Sequence, residues 1–538
     1  MSFSSLSDYQ TRRQDLILAD RALRADHKTG QLSELEAQAD KVIRDLRAAE
    51  AESIWSREYE GIPHPFPGME FLTGKRSIIV QTKLFEILGK MPKGGLLHAH
   101  VDATVNVAHL LNLATKYPAI HVRASTALNA TNIGSVLPEL RPLPEDLRSS
   151  AGLIALTDSN YVPDTWVQFN KAKESFSPQL GGPEGFDRWL TAAMTINPTE
   201  AYVTHNTVTK IWQKFQSTFL VAAPLVRYRP IHKEYCREFI LSSIADGISY
   251  VEPRINFLKD IVRPFISADA RSHVPHREIL QDFDEVLNEV KADLKAQGKG
   301  DHFIGARIIY TTIRFITPEE LEWYLQECID LKKEFPHLIA GFDLVGDENV
   351  LKPLIYYIEP LLKFRKMQED AGVEIPFIFH GGETLGDGTE ADMNLYDAIL
   401  LGTKRIGHGF SLVKHPKLIE ICKERDIAIE VCPISNEILR LTSSMHMHPL
   451  PILLNQGVPV ALCSDDPSVF GNMGLTFDYF QVLAASEITG LIQLGEMAKD
   501  SIKYSTLEQA DKEQALSAWQ KRWEEFLKYV VTEGPRYL

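Results

Sequence analysis

Leu96-Leu97-His98-Ala99-His100-Val101-Asp102 is the stretch from which the rest of the chain is read. It follows Met91-Pro92-Lys93-Gly94-Gly95, a Pro/Gly turn signal. Read as a strand, alternation puts His98 and His100 on one face, about 6–7 Å apart along the backbone. Two imidazoles on one face can bind one metal ion, and a metal needs more than two ligands. The other donors must come from elsewhere in the chain.

From Gly94 onward, short runs rich in branched residues alternate with helical patterns. The runs are Gly95–His100, Ile248–Glu252, Phe303–Thr312, Leu338–Leu344, Pro376–His380, Arg405–His408, Ile427–Cys432 and Pro459–Ser464. Strands alternating with helices predict a parallel sheet. Eight of them predict an α/β fold of the (β/α)8 TIM-barrel type, with chemistry at the carboxyl ends of the strands. The polar residues fit: His98, His100, Glu252, Arg314, Gly346, His380, His408 and Asp465 all lie at or just past the end of a run. An open doubly wound sheet would need a Gly-rich phosphate loop after its first strand, where this chain has the histidine pair. Residues 103–247 separate the first and second runs and are read as an insertion over the barrel mouth, with a helical pattern from Val208 to Phe219.

The remainder sets limits. A chain of 538 residues, 44% hydrophobic and 24% charged, can bury a large core. A net charge of -15 argues against a nucleic-acid polymer as partner. The five cysteines show no disulfide spacing, and Cys432 and Cys463 sit in apolar runs expected to be buried. The longest apolar run, Phe219 to Val226, contains Pro224 and is too short to span a bilayer, so no membrane role is expected. The first residues carry no apolar leader, which predicts a cytoplasmic protein. Residues from about 8 to 57 read as two helices broken near Lys28-Thr29-Gly30, with Leu16, Leu18, Leu23, Leu32, Leu35, Val42, Ile43 and Leu46 as an apolar stripe. Gly61 to Gly68 reads as a linker. The expected division is a helical extension and linker over 1–68 and a barrel over 69–538. The extension either packs on the barrel or serves as a dimerisation arm.

Three strand ends carry the chemistry. His380-Gly381-Gly382-Glu383 offers a third imidazole and, after a glycine turn, a carboxylate placed for proton transfer. Gly407-His408-Gly409 leaves a histidine with little packing from its neighbours, an accessible functional group or a turn residue. In Ser464-Asp465-Asp466-Pro467, adjacent carboxylates repel unless a cation or proton relieves them, and Pro467 suits a first helical position. One acid then faces the metal. Three histidines and an aspartate with an open position suit a catalytic Zn²⁺, which lowers the pKa of a water toward neutrality. A two-metal barrel would want a bridging lysine at the fourth strand end, but Gly341-Phe342-Asp343-Leu344-Val345-Gly346 has none, so one zinc per chain is expected.

The motifs His-x-His, His-Gly-Gly-Glu, Gly-His-Gly and Ser-Asp-Asp-Pro, in this order, resemble the adenosine deaminase superfamily. Cys432-Pro433-Ile434-Ser435-Asn436, His448-Pro449, Ser464 to Gly471, Ser501-Ile502-Lys503-Tyr504-Ser505 and the lead-in Met91-Pro92-Lys93-Gly94 resemble its adenosine-deaminase-related growth factor branch. The resemblance covers roughly residue 70 to the C-terminus. It implies His98, His100, His380 and Asp465 as zinc ligands and Glu383 as the acid that protonates N1 of the purine. It implies His408 as the group that orients the attacking water and helps shuttle its proton. Asp466 would accept a hydrogen bond from N7, the backbone N–H of Gly346 would meet N3, Asp102 would contact the ribose, and Trp212 would line the pocket. The implied reaction is hydrolytic deamination of adenosine or a close adenine nucleoside to the inosine product. The alternatives are AMP or another 5′- or N6-modified substrate, with Arg227, Arg229 and Lys233 as phosphate-binding candidates, and a growth-factor-like binding protein with incidental catalysis. The branch also implies a homodimer and an extracellular setting. The acid at Asp102, two residues past the pair, and the Gly-Gly after His380 depart from the branch pattern.

Overall fold

The eight runs become parallel strands in the expected order. The computed structural model describes residues 5–60, 68–148, 152, 154–259 and 264–538. The strands are β1 (Gly94–Leu96), β2 (Ile248–Val251, resuming as Arg254–Asn256), β3 (Gly305–Ala306, resuming as Ile308–Ile313), β4 (Ile339–Val345), β5 (Ile378–Gly381), β6 (Arg405–His408), β7 (Ala428–Val431) and β8 (Val460–Leu462). Strand β4 is buried along its whole length, as expected of a parallel strand covered on both faces. Helices between the strands start where the sequence places caps. Thr317 forms a capping box with Glu320 ahead of Pro318–Glu334, and the Thr389 side chain caps Glu390–Leu400.

All strand pairs in this set are parallel: β1 with β2, β2 with β3, β3 with β4, and β5 through β8 in sequence order. These ladders form three separate sheets. Single parallel bridges, Phe342 to Phe377 and Ala99 to Asp465, join β4 to the lead-in of β5 and the end of β1 to the end of β8.

Strand β1 is shorter than the sequence predicts. Its ladder ends at Leu96, so His98 and His100 lie beyond it. The reason is a change of partner. The His100 N–H donates to the Asp465 carbonyl at 3.1 Å, the Asp465 N–H donates to the His98 carbonyl at 3.2 Å, and His100 bridges Arg254. The two histidines are therefore carried on extended backbone pinned to its neighbours on both sides.

The insertion holds a three-stranded antiparallel sheet (Ile120–Arg123, Glu139–Pro142, Val167–Gln168) and the helices Gly182–Met194, Val208–Val226 and Arg229–Ala245. The helix expected from Val208 to Phe219 runs on through Pro224, which gives up one backbone hydrogen bond.

Two N-terminal helices, Leu6–Arg21 and Glu34–Glu50, flank the expected break. The second buries Ile43 and Leu46 and packs against the C-terminal helix Gln509–Glu533. The first buries none of its residues, and Leu16, Leu18, Leu23 and Leu32 of the expected stripe are exposed. Leu16 and Leu18 are two positions apart and so point to opposite sides of a helix, which gives no single apolar face. The predicted linker, apart from Gly68, lies outside the described residues. All five cysteines are free and buried. No helix among the described residues is long and apolar enough to cross a membrane.

Candidate active site

A cavity of about 400 Å³ lies at the carboxyl ends of the strands. His100, Asp102, Gly346, His380, Glu383, His408, Asp465 and Asp466 line it, and Trp212, Phe215, Phe219 and Leu220 of helix Val208–Val226 give it an apolar wall. His98 is fully buried immediately behind. The residues expected to hold metal, act on the substrate or bind it are thus brought to one place, whereas Glu252, Arg229 and Lys233 do not line the cavity.

Three imidazoles meet there. Ring centroids are 5.4 Å apart for His98 and His100, 4.6 Å for His98 and His380, and 5.3 Å for His100 and His380. Asp465 Oδ1 stands 3.3 Å from His98 Nε2 and 3.4 Å from His100 Nε2. Yet buried His98 Nε2 and Asp465 Oδ1 have no hydrogen-bond partner among the described residues. Buried polar atoms left bare at a convergence of nitrogen and oxygen donors fit a divalent cation. His98, His100 and His380 each offer a ligand atom within 4.8 Å of the others, and Asp465 groups with His98, His408 and Cys432 in the same way.

The far side of each ring sets its tautomer. His98 Nδ1 lies 2.7 Å from Glu430 Oε2, and His380 Nδ1 lies 2.6 Å from Asp343 Oδ2. Burial opposes ionisation of both acids. Arg254 and Arg405 nevertheless hold Glu430 well below the usual carboxylate range, and His380 and Arg254 hold Asp343 below it. Each ring therefore donates Nδ1–H outward and turns its Nε2 lone pair inward, the arrangement that orients metal-binding histidines. Gly407 makes room for this. A Cβ there would lie 2.9 Å from His98 Cε1.

Glu383 is held by its backbone. Its N–H and that of Gly382 donate to the two oxygens of Glu348, at 2.9 and 3.2 Å, and Asn394 Nδ2 fixes Glu348 at 2.6 Å. The side chain is left with a bare Oε1, 3.6 Å from His408 Nδ1. Burial, then the charges of Asp465, Glu348 and Asp347, push the Glu383 carboxyl well above its ordinary value. Burial and the adjacent Asp465 do the same to Asp466. Asp466 occupies the cap position before Pro467–Phe470, but its side chain makes no capping hydrogen bond, so helix capping does not account for its carboxyl.

Gly346 has φ +113, and a Cβ there would meet Leu351 Cδ1 at 2.5 Å. Only glycine suits that position, and it lines the cavity. Asp102 Oδ2 accepts from Arg227 Nη2 at 3.1 Å. Of the three basic candidates, Arg227 lines the cavity, whereas Arg229 pairs with Asp282 and Glu278 and Lys233 pairs with Glu285 on helix His276–Ala296. Trp212 lines the wall with its buried Nε1 lacking a partner among the described residues.

Sequence reasoning missed the outer ring. Glu430, Asp343, Ser435 (Oγ to Asp465 Oδ2, 2.8 Å), Asn436 and Glu348 all grip a site residue. Asp343 lies in the fourth-strand stretch that lacks a lysine, and Ser435-Asn436 in a motif of the resemblance. Neither location gives a signal of contact.

A family model described as adenosine deaminase matches residues 192–521. Adenosine deaminase 2-A of Danio rerio is 34% identical over 463 residues, covering 86% of this chain and 84% of the relative. Adenosine deaminase 2 of Sus scrofa is 31% identical over 542 residues, covering 99% and 97%. Among solved structures, Arabidopsis ADAL complexed with GMP has the same fold, with a TM-score of 0.53 at 16% identity over 81% of this chain and 98% of that one. With a matching family model over more than half its length, and relatives of this identity aligned over most of both sequences, the chain belongs to the adenosine deaminase family, in its growth-factor-related branch.

Proposed function

We propose that this chain is a zinc-dependent hydrolase that replaces the 6-amino group of adenosine with oxygen, releasing ammonia and the inosine product. The observation that carries the reading is the grouping of His98, His100 and His380, with Asp465 within 3.4 Å of the first two, beside Glu383, whose buried carboxyl is pushed well above its ordinary value, in a chain of this family. Those four residues would hold the zinc. Bound there, it lowers the pKa of a water toward neutrality.

The chain's own residues do the rest. Glu383, whose carboxyl burial pushes well above its ordinary value, gives a proton to N1, which makes C6 electrophilic. His408 orients the attacking water. The Asp466 carboxyl is pushed up likewise, and N7 of adenosine bears no hydrogen and can only accept, so a hydrogen bond between them runs from the carboxyl to the ring. This reverses the direction expected from the sequence. The Gly346 N–H meets N3, Asp102 holds the ribose, and Trp212 closes the pocket. The insertion over 103–247 acts as a lid on a barrel of eight strands, 69–538, which the two single bridges support as a closed ring. Helix Leu6–Arg21 of the 1–68 extension, which buries none of its residues within the chain, is the arm through which two copies pair.

The lining favours adenosine over AMP. Among the described residues, Arg227 is the one cation in the cavity wall, and it already faces Asp102 and the Asn256 carbonyl. With that guanidinium engaged, the wall offers a dianionic phosphate no second lysine or arginine among the described residues. Steady-state assays on both substrates test this. We expect kcat/KM for adenosine to exceed that for AMP by about 100-fold or more. Equal or faster turnover of AMP contradicts the nucleoside assignment.

A further inference from the structure

His408 ends a chain of hydrogen bonds whose direction is fixed at its far end. The backbone N–H of Leu450, which can only donate, points at His448 Nδ1 from 3.0 Å. That nitrogen therefore accepts and bears no proton, so the proton of the His448 ring is on Nε2. Burial agrees, pushing the pKa of His448 down to about 3 and keeping the ring neutral. His448 Nε2 lies 3.0 Å from Asn436 Oδ1, which accepts. The Asn436 amide must then turn Nδ2 the other way, where it stands 3.1 Å from His408 Nδ1. An amide nitrogen only donates, so His408 Nδ1 accepts. Its ring proton is consequently on Nε2, the nitrogen 3.8 Å from Asp465 Oδ2. Glu383 Oε1, 3.6 Å from the same Nδ1, is beyond hydrogen-bonding distance and does not compete.

We infer that Asn436 and His448 are positioning residues that lock His408 in the Nε2–H tautomer, so that it presents a donor rather than a basic lone pair to the reacting centre. Both side chains are buried, at 0% and 3% exposure, and neither lines the cavity. The ring of His448 is also held edge-on by Phe410, two residues past His408, at 5.7 Å and 88°. Asn436 comes from the short helix Pro433–Ile438 after β7, and Leu450 opens helix Leu450–Asn455. The relay thus runs from a helix N-terminus to the end of β6. In its resting state His408 fixes the attacking water by donating to its oxygen, and is not the group that first removes its proton.

The inference rests on the deaminase reading only for its kinetic arm. Neutron diffraction from deuterium-exchanged crystals of the full chain should show deuterium on Nε2 of both His408 and His448 and none on either Nδ1. Deuterium on His408 Nδ1 overturns the proposal. In Asn436→Leu, close in shape but without a donor, kcat for adenosine should fall roughly 10–100-fold, with KM within about threefold and bound zinc unchanged by elemental analysis. A kcat within about threefold of the parent's counts against the proposal. If the parent chain does not deaminate adenosine, the reading of function fails, while the deuterium positions still decide the relay. They also decide it if the variant does not fold.

Discussion

His408 and Asp465 both hold left-handed backbone angles, φ +60° and +62°, which non-glycine residues adopt at a cost of about 1–3 kcal/mol each. Each stands where a strand turns into its loop, and the turn aims the side chain back across the strand ends. Glu383 gets the same service from Gly382, at φ +74. Its role gives the first prediction. Glu383→Gln keeps the shape and the bonds that Glu348 accepts from the backbone, but has no acid to give N1. Turnover should fall about 10²–10⁴-fold with zinc content unchanged. A variant that keeps parental turnover removes Glu383 from the mechanism. A biological effect that outlives the lost turnover would instead support the binding-protein alternative. At this scale the candidate donors were legible because each sits at a strand end beside glycine or a second donor. Glu430 and Asn436 were not, since their contacts to His98 and His408 join residues 332 and 28 positions apart and leave no local pattern.

Helix Pro433–Ile438 shows how one short element serves several sites. Ser435 donates to Asp465, Asn436 to His408, and Glu437 turns away to accept from the Phe71 N–H at 3.2 Å and Tyr202 Oη at 3.3 Å. Glu437 is buried, and burial raises its pKa to about 8, with Glu70 adding to the rise and Arg440 opposing it. The folded chain therefore holds a proton that the unfolded chain, with a Glu near its ordinary 4.5, releases. Stability must fall as pH climbs from about 4.5 to about 8, then level off. Glu437→Gln mimics the protonated form and removes this slope. Calorimetry should find the variant close to the parent at pH 5 and more stable by about 4 kcal/mol at pH 9. A difference that does not change with pH would contradict the protonated assignment. The strands were legible because buried parallel strands read as continuous branched runs. The insertion's antiparallel sheet was not, since strands of two to four residues are too short to show a period.

On the scale of the whole molecule, the order of elements was legible and their partnerships were not. The break near Gly30 could be read, but only packing separates the second helix, which buries Ile43 and Leu46, from the first, which buries nothing. Removal of residues 1–21 should therefore leave a folded, active enzyme. Light scattering should find the full chain dimeric and the shortened one monomeric, and unchanged mass would acquit helix Leu6–Arg21 as the pairing arm. Everything else depends on one metal at the centre of the strand ends. The most direct test follows bound zinc and adenosine turnover on the same sample as the ion is withdrawn by chelation and restored. The account predicts one zinc per chain at full activity, with turnover falling and recovering in proportion to occupancy. Full turnover in a sample stripped of transition metal would contradict it.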